Sequence, residues 1–378
     1  MLRRVQASVS KARIQFQLWD GFELNPTAGY PIGRLRFLNR SALYRLLWDP
    51  ELNFGEAYMA GTLAIDGDLA EVLEEIYRTF GDPRRTWRHP YRRHDPRAAR
   101  ANVHSHYDLG NPFYALWLDE ALVYTCAYYA TPESTLEQAQ RAKLDRVCRK
   151  LRLAPGERVI EAGCGWGALA LFMARHHGVR VRAFNISKEQ LAFARERAER
   201  ERLGDRVEFI EDDYRNISGT CDAFVSVGML EHVGADQYDV FGTLIGRLLT
   251  PNGRGLLHFI GRDRSAPLNA WIRRRIFPGA YAPTLGEVCD RILQPHALSV
   301  LDVENLREHY ARTLDHWRSR FDAAEPTVAS MFDERFVRAW RLYLAGSQAA
   351  FASGWMQLFQ IVFARSGSVN VPWTRATS

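Results

Sequence analysis

The chain reads as an α/β protein whose larger part is Rossmann-like, preceded by a smaller α+β domain. Three observations lead there. From Thr135 onward, short apolar strands alternate with amphipathic helices, the pattern of a parallel sheet with right-handed crossovers. The first strand of that series runs into Glu161-Ala162-Gly163-Cys164-Gly165-Trp166-Gly167, a glycine turn that opens a helix. The first eighty residues have a different texture, with short alternating stretches broken by turn residues.

In the N-terminal region, residues 12–18 and 33–38 alternate as strands, separated by the turn-rich Asn25-Pro26-Thr27-Ala28-Gly29. A helix is predicted over 69–80, with Leu69, Val72, Leu73, Ile76 and Tyr77 on one face. Gly81-Asp82-Pro83 then opens a segment carrying Arg84, Arg85, Arg88, Arg92, Arg93, Arg97 and Arg100 beside Trp87 and Tyr91. Such a segment buries little and reads as an exposed linker. Its arginines and rings also suit lipid headgroups or nucleic-acid phosphates. The expected organisation is a domain over 1–80, an Arg-rich linker over 81–100 and a larger domain over 101–378.

Within the larger domain, an amphipathic helix at 136–151 leads into a buried strand at 158–162. Helix 168–177, strand 179–184, helix 188–202 and strand 207–210 follow. Strands at 223–227 and 255–260 flank a helix at 237–249, and the chain closes with helix 335–352 and strand 356–364. Hydrophobic residues make up 47% and charged residues 25% of the 378, the balance of a protein with a sizeable core. No apolar run reaches the roughly 18–20 residues a bilayer span needs. A secretory signal is not expected at the Arg-bearing start, which lacks a long apolar stretch and a small-residue cleavage site. Net charge is +6, which suits an anionic partner, either a membrane surface or a nucleic acid. Five cysteines with no CxxC pair argue for a reducing cytosol and against a disulfide framework.

The glycine turn by itself admits two ligands. Gly163, Gly165 and Ala168 satisfy the dinucleotide fingerprint G-x-G-x-x-G/A. A nicotinamide site wants a carboxylate about 20 residues on, for the ribose hydroxyls. That region reads Arg182-Ala183-Phe184-Asn185. An acidic residue two places before three alternating glycines instead resembles the loop of class I S-adenosylmethionine methyltransferases.

More of the chain carries a sharper resemblance. His106-Tyr107-Asp108-Leu109-Gly110-Asn111, Phe113-Tyr114-Ala115-Leu116-Trp117 and Tyr124-Thr125-Cys126 precede the glycine turn. Asp213-Tyr214-Arg215, Ser226-Val227-Gly228-Met229-Leu230-Glu231-His232, Leu256-Leu257-His258-Phe259-Ile260-Gly261 and Ile276-Phe277-Pro278-Gly279 follow it. In this order and spacing they resemble the cyclopropane-fatty-acyl-phospholipid synthases and their mycolic acid relatives. The resemblance covers nearly everything from about residue 100 onward. It implies a class I methyltransferase domain, and the N-terminal region with Phe54-Gly55-Glu56-Ala57-Tyr58-Met59 looks like the smaller lipid-associated domain of two-domain members.

The family moves a methylene group from S-adenosylmethionine to a cis double bond, with a bound bicarbonate as base. By motif, the bicarbonate ligands would be Cys126, Glu231, His258, the backbone of Ile260, and Tyr310. Cofactor contacts would come from Tyr124, Thr125, Gly163, Gly165, Asn185, Gln190, Asp213 and Tyr214, with Glu161 orienting the loop. Thr125 stands where Ser is more usual, and Asn185 where Thr is commoner. A carboxylate beside an anion is unfavourable, so Glu231 is expected to carry a proton or to accept from His258 or Tyr310. The candidate ligands are scattered singly, with no close pair such as H-x-x-x-H, so no metal is expected. The partner would be unsaturated phospholipid in an anionic membrane, met by peripheral association at the inner, cytoplasmic face, with a homodimer compatible. Two alternatives remain in view. One is a related methyltransferase giving a methyl-branched or methylene product, or serving another acceptor. The other is an RNA methyltransferase using the Arg-rich segment, although the N-P-P-Y run of amino-methylating enzymes is replaced by Gly228-Met229-Leu230-Glu231.

Overall fold

A computed structural model describes residues 11–27, 29–80, 109–369 and 371. The Arg-rich segment and His106, Tyr107 and Asp108 lie outside the described residues. The chain forms two compact units that interleave in sequence. The first comprises Met1–Pro90, Pro267–Pro278 and Tyr310–Met356; the second comprises Tyr91–Ala266, Gly279–His309 and Gln357–Ser378.

The first unit holds a small sheet of β1 (Ile14–Gln17), β2 (Glu23–Leu24), β3 (Gly33–Phe37) and β4 (Leu63–Asp66), ordered β2-β1-β3-β4. β1 and β3 are parallel and the other pairs antiparallel. The alternation read at 12–18 and 33–38 has its cause here, because Ile14, Leu35 and Phe37 turn inward onto Ala12, Leu63 and Val72. The helix predicted over 69–80 is Leu69–Phe80, with Leu69, Val72 and Leu73 buried. Helix Pro50–Met59 starts on Asp49, whose carboxylate accepts from the Leu52 N–H at 3.3 Å, with proline at the first turn. Helix Glu334–Ala352 is capped by Asp333, which accepts from the Phe336 N–H at 2.7 Å. This long helix packs on Leu69–Phe80 and Pro50–Met59, and the Arg338 Nε donates to the Tyr58 carbonyl at 2.7 Å. Those contacts draw residues 310–356 into the N-terminal unit, although the sequence attaches them to the larger domain.

The second unit is built on a seven-stranded sheet. Its strands are β5 (Arg158–Ala162), β6 (Arg180–Asn185), β7 (Val207–Glu211), β8 (Cys221–Val227), β9 (Leu249–Gly261), β10 (Leu298–Asn305) and β11 (Gln357–Arg365). The order is β10-β11-β9-β8-β5-β6-β7, with β7, β6, β5, β8 and β9 parallel. The expectation of a parallel sheet needs one correction. β11 lies antiparallel between β9 and β10, so that end of the sheet is mixed. β11 is buried on both faces and reads as a mainly apolar run broken by Gln357 and Gln360, a pattern that carries no sign of direction. β10 is an edge strand with largely exposed residues, which is why its sequence gives a weak strand signal. Two apolar layers cover the sheet. One gathers Val147, Leu171, Met173, Val181 and Val225, and the other Ile160, Phe224, Phe241, Leu257 and Phe359. In this Rossmann-like arrangement the chain reverses order between β5 and β8, so a crevice opens at the carboxyl ends of those strands. Among the described residues, no helix is long and apolar enough to cross a membrane.

Candidate active site

The crevice begins with the glycine turn. Gly163, Gly165 and Gly167 have φ of +84°, +53° and +79°, conformations that side chains other than glycine rarely adopt. A Cβ on Gly163 would sit 2.9 Å from the Met229 Cβ, and one on Gly167 would meet the Phe209 ring at 2.6 Å. At Gly165 a Cβ would meet nothing within 4 Å. Two of these glycines therefore serve close packing, whereas the third borders open space. The amides of Gly163 and Cys164 donate to the Phe184 carbonyl at 2.9 and 3.1 Å, tying the turn to the end of β6. Helix Ala168–His177 follows, opening from Gly167 at the same edge of the sheet without a side-chain cap.

A cavity of about 180 Å³ occupies this edge. All nine residues that the family resemblance assigned to the cofactor line it: Tyr124, Thr125, Glu161, Gly163, Gly165, Asn185, Gln190, Asp213 and Tyr214. At the end of β6 the Asn185 Nδ2 donates to the Gln190 Oε1 at 2.7 Å and to the Gly165 carbonyl at 3.2 Å. Its Oδ1 accepts from the Ile186 amide at 2.7 Å. The substitution at Asn185 thus still couples the second strand to the glycine turn. After β7, Asp213 is held by both the Nε and Nη2 of Arg215 at 2.7 Å. The Tyr214 ring stands edge-on to Phe241 at 5.4 Å, and burial pushes its hydroxyl up to about 12. Glu161 is buried, with its Oε2 unpartnered. Burial raises its carboxyl to about 8, against the opposing pull of Lys143 and the Ala170 amide. Aromatic rings form one wall. Tyr124 packs on Tyr114 at 5.6 Å and edge-on to Trp117 at 5.1 Å, and Trp166 stands 5.0 Å from Tyr114.

The residues assigned to the base lie outside the cavity lining, and four of the five belong to the second unit. Glu231 follows β8 in the short helix Leu230–Val233, between the lining residues Met229 and His232. Its Oε1 accepts from the Ile260 N–H at 2.5 Å, and its buried Oε2 has no partner. Burial pushes this carboxyl up to about 7 even though the Ile260 amide favours the charged form. The donor to Glu231 is therefore a backbone amide of β9, where the sequence pointed to His258 or Tyr310. His258 lies two residues earlier on β9, and its carbonyl accepts from the Gly228 amide at 2.8 Å. Burial, with Lys143 and Lys150 nearby, lowers its imidazole to about 3, so the ring is neutral. Gln360 on β11 contacts its Nδ1 at 3.2 Å. The amide donates there, which leaves the proton on the buried, unpartnered Nε2. Cys126 is buried, with its Sγ 3.1 Å from the Ala127 carbonyl and 3.9 Å from that of Leu306. Tyr310 belongs to the first unit, where its ring packs on Phe351 at 4.6 Å and Trp317 at 5.9 Å.

Three participants escaped the sequence reading. Lys143 lines the cavity, and its Nζ donates to the Thr125 Oγ1 at 2.9 Å. Gln140, one turn earlier, donates to the Thr125 carbonyl at 2.8 Å. Gln360 sets the tautomer of His258. The available signal was positional: Gln140 and Lys143 fall on the inward face of helix Leu136–Lys150 with Leu136, Ala139, Leu144 and Val147. Gln360 likewise interrupts the apolar run of β11.

The donor set fits a methyl donor of the adenosyl type. It offers a glycine turn with open space, acceptors at the ends of β6 and β7, and aromatic faces able to attract a sulfonium. The unpartnered Glu231 Oε2 and His258 Nε2 fit a small hydrogen-bonding anion. Among the described residues, no group of three or more His, Cys, Asp or Glu side chains could hold a metal ion.

Comparison with known proteins agrees with this geometry. Residues 94–361 match the family described as mycolic acid cyclopropane synthetase, and residues 1–82 match a domain of unknown function. A probable fatty acid methyltransferase of Pseudomonas putida is 37% identical, over 96% of this chain and 95% of its own. The cyclopropane-fatty-acyl-phospholipid synthase of Escherichia coli K12 is 36% identical, over 88% of this chain and 87% of its own. The crystal structure of the mycolic acid cyclopropane synthase CmaA1 complexed with SAH and CTAB superposes with a TM-score of 0.67. It is 30% identical and covers 70% of this chain and 98% of its own.

Proposed function

Because the chain belongs to the mycolic acid cyclopropane synthetase family of S-adenosylmethionine-dependent methyltransferases, we propose that it builds cyclopropane rings on the cis double bonds of unsaturated acyl chains in membrane phospholipids. The observation that carries this reading is a pair of buried polar atoms, Glu231 Oε2 and His258 Nε2, left without partners beside the donor cavity.

The methyl donor supplies an electrophilic carbon on a sulfonium, and a bicarbonate ion in this site would supply the base that removes a proton for ring closure. The chain's own residues prepare both. Tyr124 and Trp166 present aromatic faces to positive charge, and Leu122, Val123, Leu144 and Met229 keep the neighbouring wall apolar, which excludes water that would trap a hydrocarbon cation. His258, fixed as a neutral donor by Gln360, offers its Nε2–H to an anion. Glu231, with its carboxyl raised to about 7 by burial, sits where it can give up, accept or share a proton with the anion near neutrality. Its second oxygen stays anchored on the Ile260 amide, so the proton in play is on Oε2. Cys126 and Tyr310 are assigned to the same anion site on the motif resemblance. The N-terminal region and the Arg-rich segment are assigned to peripheral contact with an anionic bilayer at its cytoplasmic face, with a homodimer compatible.

The test is a lipid extract from cells with and without the gene. Acyl chains heavier by one methylene per double bond, with cyclopropyl proton resonances in the NMR spectrum, are the expected result. Unchanged acyl chains overturn the reading. The Pseudomonas relative, which matches nearly the whole of both chains, favours a second reading as a fatty acid methyltransferase. A methylene branch has the same mass as the ring and shows olefinic resonances instead.

A further inference from the structure

We infer that His309 is a positioning residue for Cys126: by accepting the Tyr129 amide, its imidazole Nδ1 fixes the irregular segment that carries the thiol against the end of β10. The inference rests on the proposed reading, in which Cys126 belongs to the anion site, and goes beyond it by naming what keeps that thiol in place.

Residues 122–129 run without helix or strand ahead of helix Leu136–Lys150. Such a stretch has no ladder to fix it, so each buried N–H and C=O must find its own partner. Cys126, Ala127 and Tyr129 are all buried. Helix Leu136–Lys150 secures one end of the segment. The Gln140 Nε2 donates to the Val123 and Thr125 carbonyls at 3.3 and 2.8 Å, and the Ala139 carbonyl accepts from the Tyr128 amide at 3.0 Å. The next amide leaves that helix. The Tyr129 N–H donates to the His309 Nδ1 at 3.0 Å, across 180 positions of sequence. An imidazole that accepts at Nδ1 is neutral and carries its proton on Nε2.

The ring is itself confined. His309 is half-buried in the first turn of helix Arg307–Ala323 and stacks on Tyr128, with centroids 4.6 Å apart and planes 24° from parallel. Arg146 lies over the same Tyr128 ring at 4.5 Å and donates twice to Glu304, at 3.0 and 2.7 Å. The buried Lys150 completes the ion cluster, 2.7 Å from Glu304 and 3.3 Å from Asp302. Glu304 lies on β10, two residues before Leu306, whose carbonyl stands 3.9 Å from the Cys126 Sγ. Leu306 is pinned by its amide, which donates to the Leu358 carbonyl at 2.8 Å, and Asn305 accepts from the Arg307 amide at 3.0 Å. His309 thus joins the segment that bears the thiol to the turn whose carbonyl faces it. Thr125 is secured separately, by Gln140 and Lys143, so loosening the Tyr129 end should reach Cys126 before the cofactor cavity.

The experiment separates the acceptor from the ring, on the full chain. His309→Phe keeps a flat ring for Tyr128 and loses the acceptor, whereas His309→Asn gives up the ring and offers its side-chain oxygen about where Nδ1 stands. For His309→Phe, kcat on unsaturated phospholipid vesicles should fall about tenfold to a hundredfold, while the KM for S-adenosylmethionine and the calorimetric affinity for adenosylhomocysteine stay within about twofold. His309→Asn should restore kcat to within about threefold of the parent. Alkylation of Cys126, followed by peptide mass, should quicken in the Phe variant and not in the Asn variant. Retained adenosylhomocysteine affinity certifies a folded protein, and should His309→Phe fail to fold, His309→Leu takes its place. An undiminished kcat or unchanged alkylation in the Phe variant, an Asn variant as slow as the Phe variant, or a matching loss of adenosylhomocysteine affinity overturns the positioning role. Cys126→Ala tests the premise separately: undiminished kcat there overturns the assignment of Cys126 to the anion site, and a parent protein that modifies no unsaturated lipid overturns the proposed function itself.

Discussion

Glu231 gives the most demanding prediction, because its environment ties a chemical role to a measurable stability. The carboxyl is buried and its pKa is pushed from 4.5 to about 7. Above pH 4.5 the unfolded chain has released this proton while the native chain keeps it, so the raised value lowers stability as pH climbs through the window from 4.5 to 7. The loss over the full window is about 3 kcal/mol, and about 2 kcal/mol of it falls between pH 5.5 and 8.5. Glu231→Gln removes the titration but can keep the 2.5 Å bond from the Ile260 amide through its side-chain oxygen. Burying the new amide shifts the variant's stability by a constant, whereas the slope with pH is the signature. The melting temperature of the variant minus that of the parent should therefore rise by about 4–8 °C from pH 5.5 to 8.5, at about 2–4 °C per kcal/mol for a unit of this size. Adenosylhomocysteine binding should survive, and ring formation should fall by about two to four orders of magnitude. Melting curves that shift in parallel with pH would refute the titration argument, and full activity in the variant would refute the proton-handling role.

Other outcomes can be checked alongside. Gly167→Ala forces a Cβ onto the Phe209 ring and should cost about 1–3 kcal/mol in thermal or denaturant unfolding. Gly165→Ala has open space before it, so it should cost only about 1 kcal/mol from its positive φ yet weaken adenosylhomocysteine binding measurably in calorimetry. His258, lowered from 6.5 to about 3, acts with the opposite sign to Glu231: the unfolded chain binds the extra proton, so stability falls as pH drops below 6.5. His258→Gln should flatten that acid limb in melts between pH 4 and pH 7, and an unchanged limb would place its cause elsewhere. The net charge of +6 and the arginines of 84–100 predict salt-sensitive binding to anionic vesicles, since screening shortens to about 3 Å at 1 M salt. Co-sedimentation at low and high salt reads this directly, and tight RNA binding without vesicle binding would reverse the choice of partner.

Much of this protein is determined by local sequence alone. Apolar periodicity set nearly every element of the sheet and its helices, because a strand buried on both faces or a helix with one wet side leaves a pattern in a short window. The glycine turn was equally legible, since three positive φ values in five residues admit little but glycine. Charge chemistry at the sheet edge was not. That Ile260 spends its amide on Glu231, that Gln360 fixes the His258 tautomer, and that Lys143 meets Thr125 are contacts between residues 18 to 102 positions apart. No local rule orders such pairs. The reversed direction of β11, and the gathering of residues 310–356 with the N-terminal sheet, belong to the same class. Burial decides a buried group's protonation, and burial is a property of what the rest of the chain brings to it, so the site's working charges were fixed only when the chain had folded.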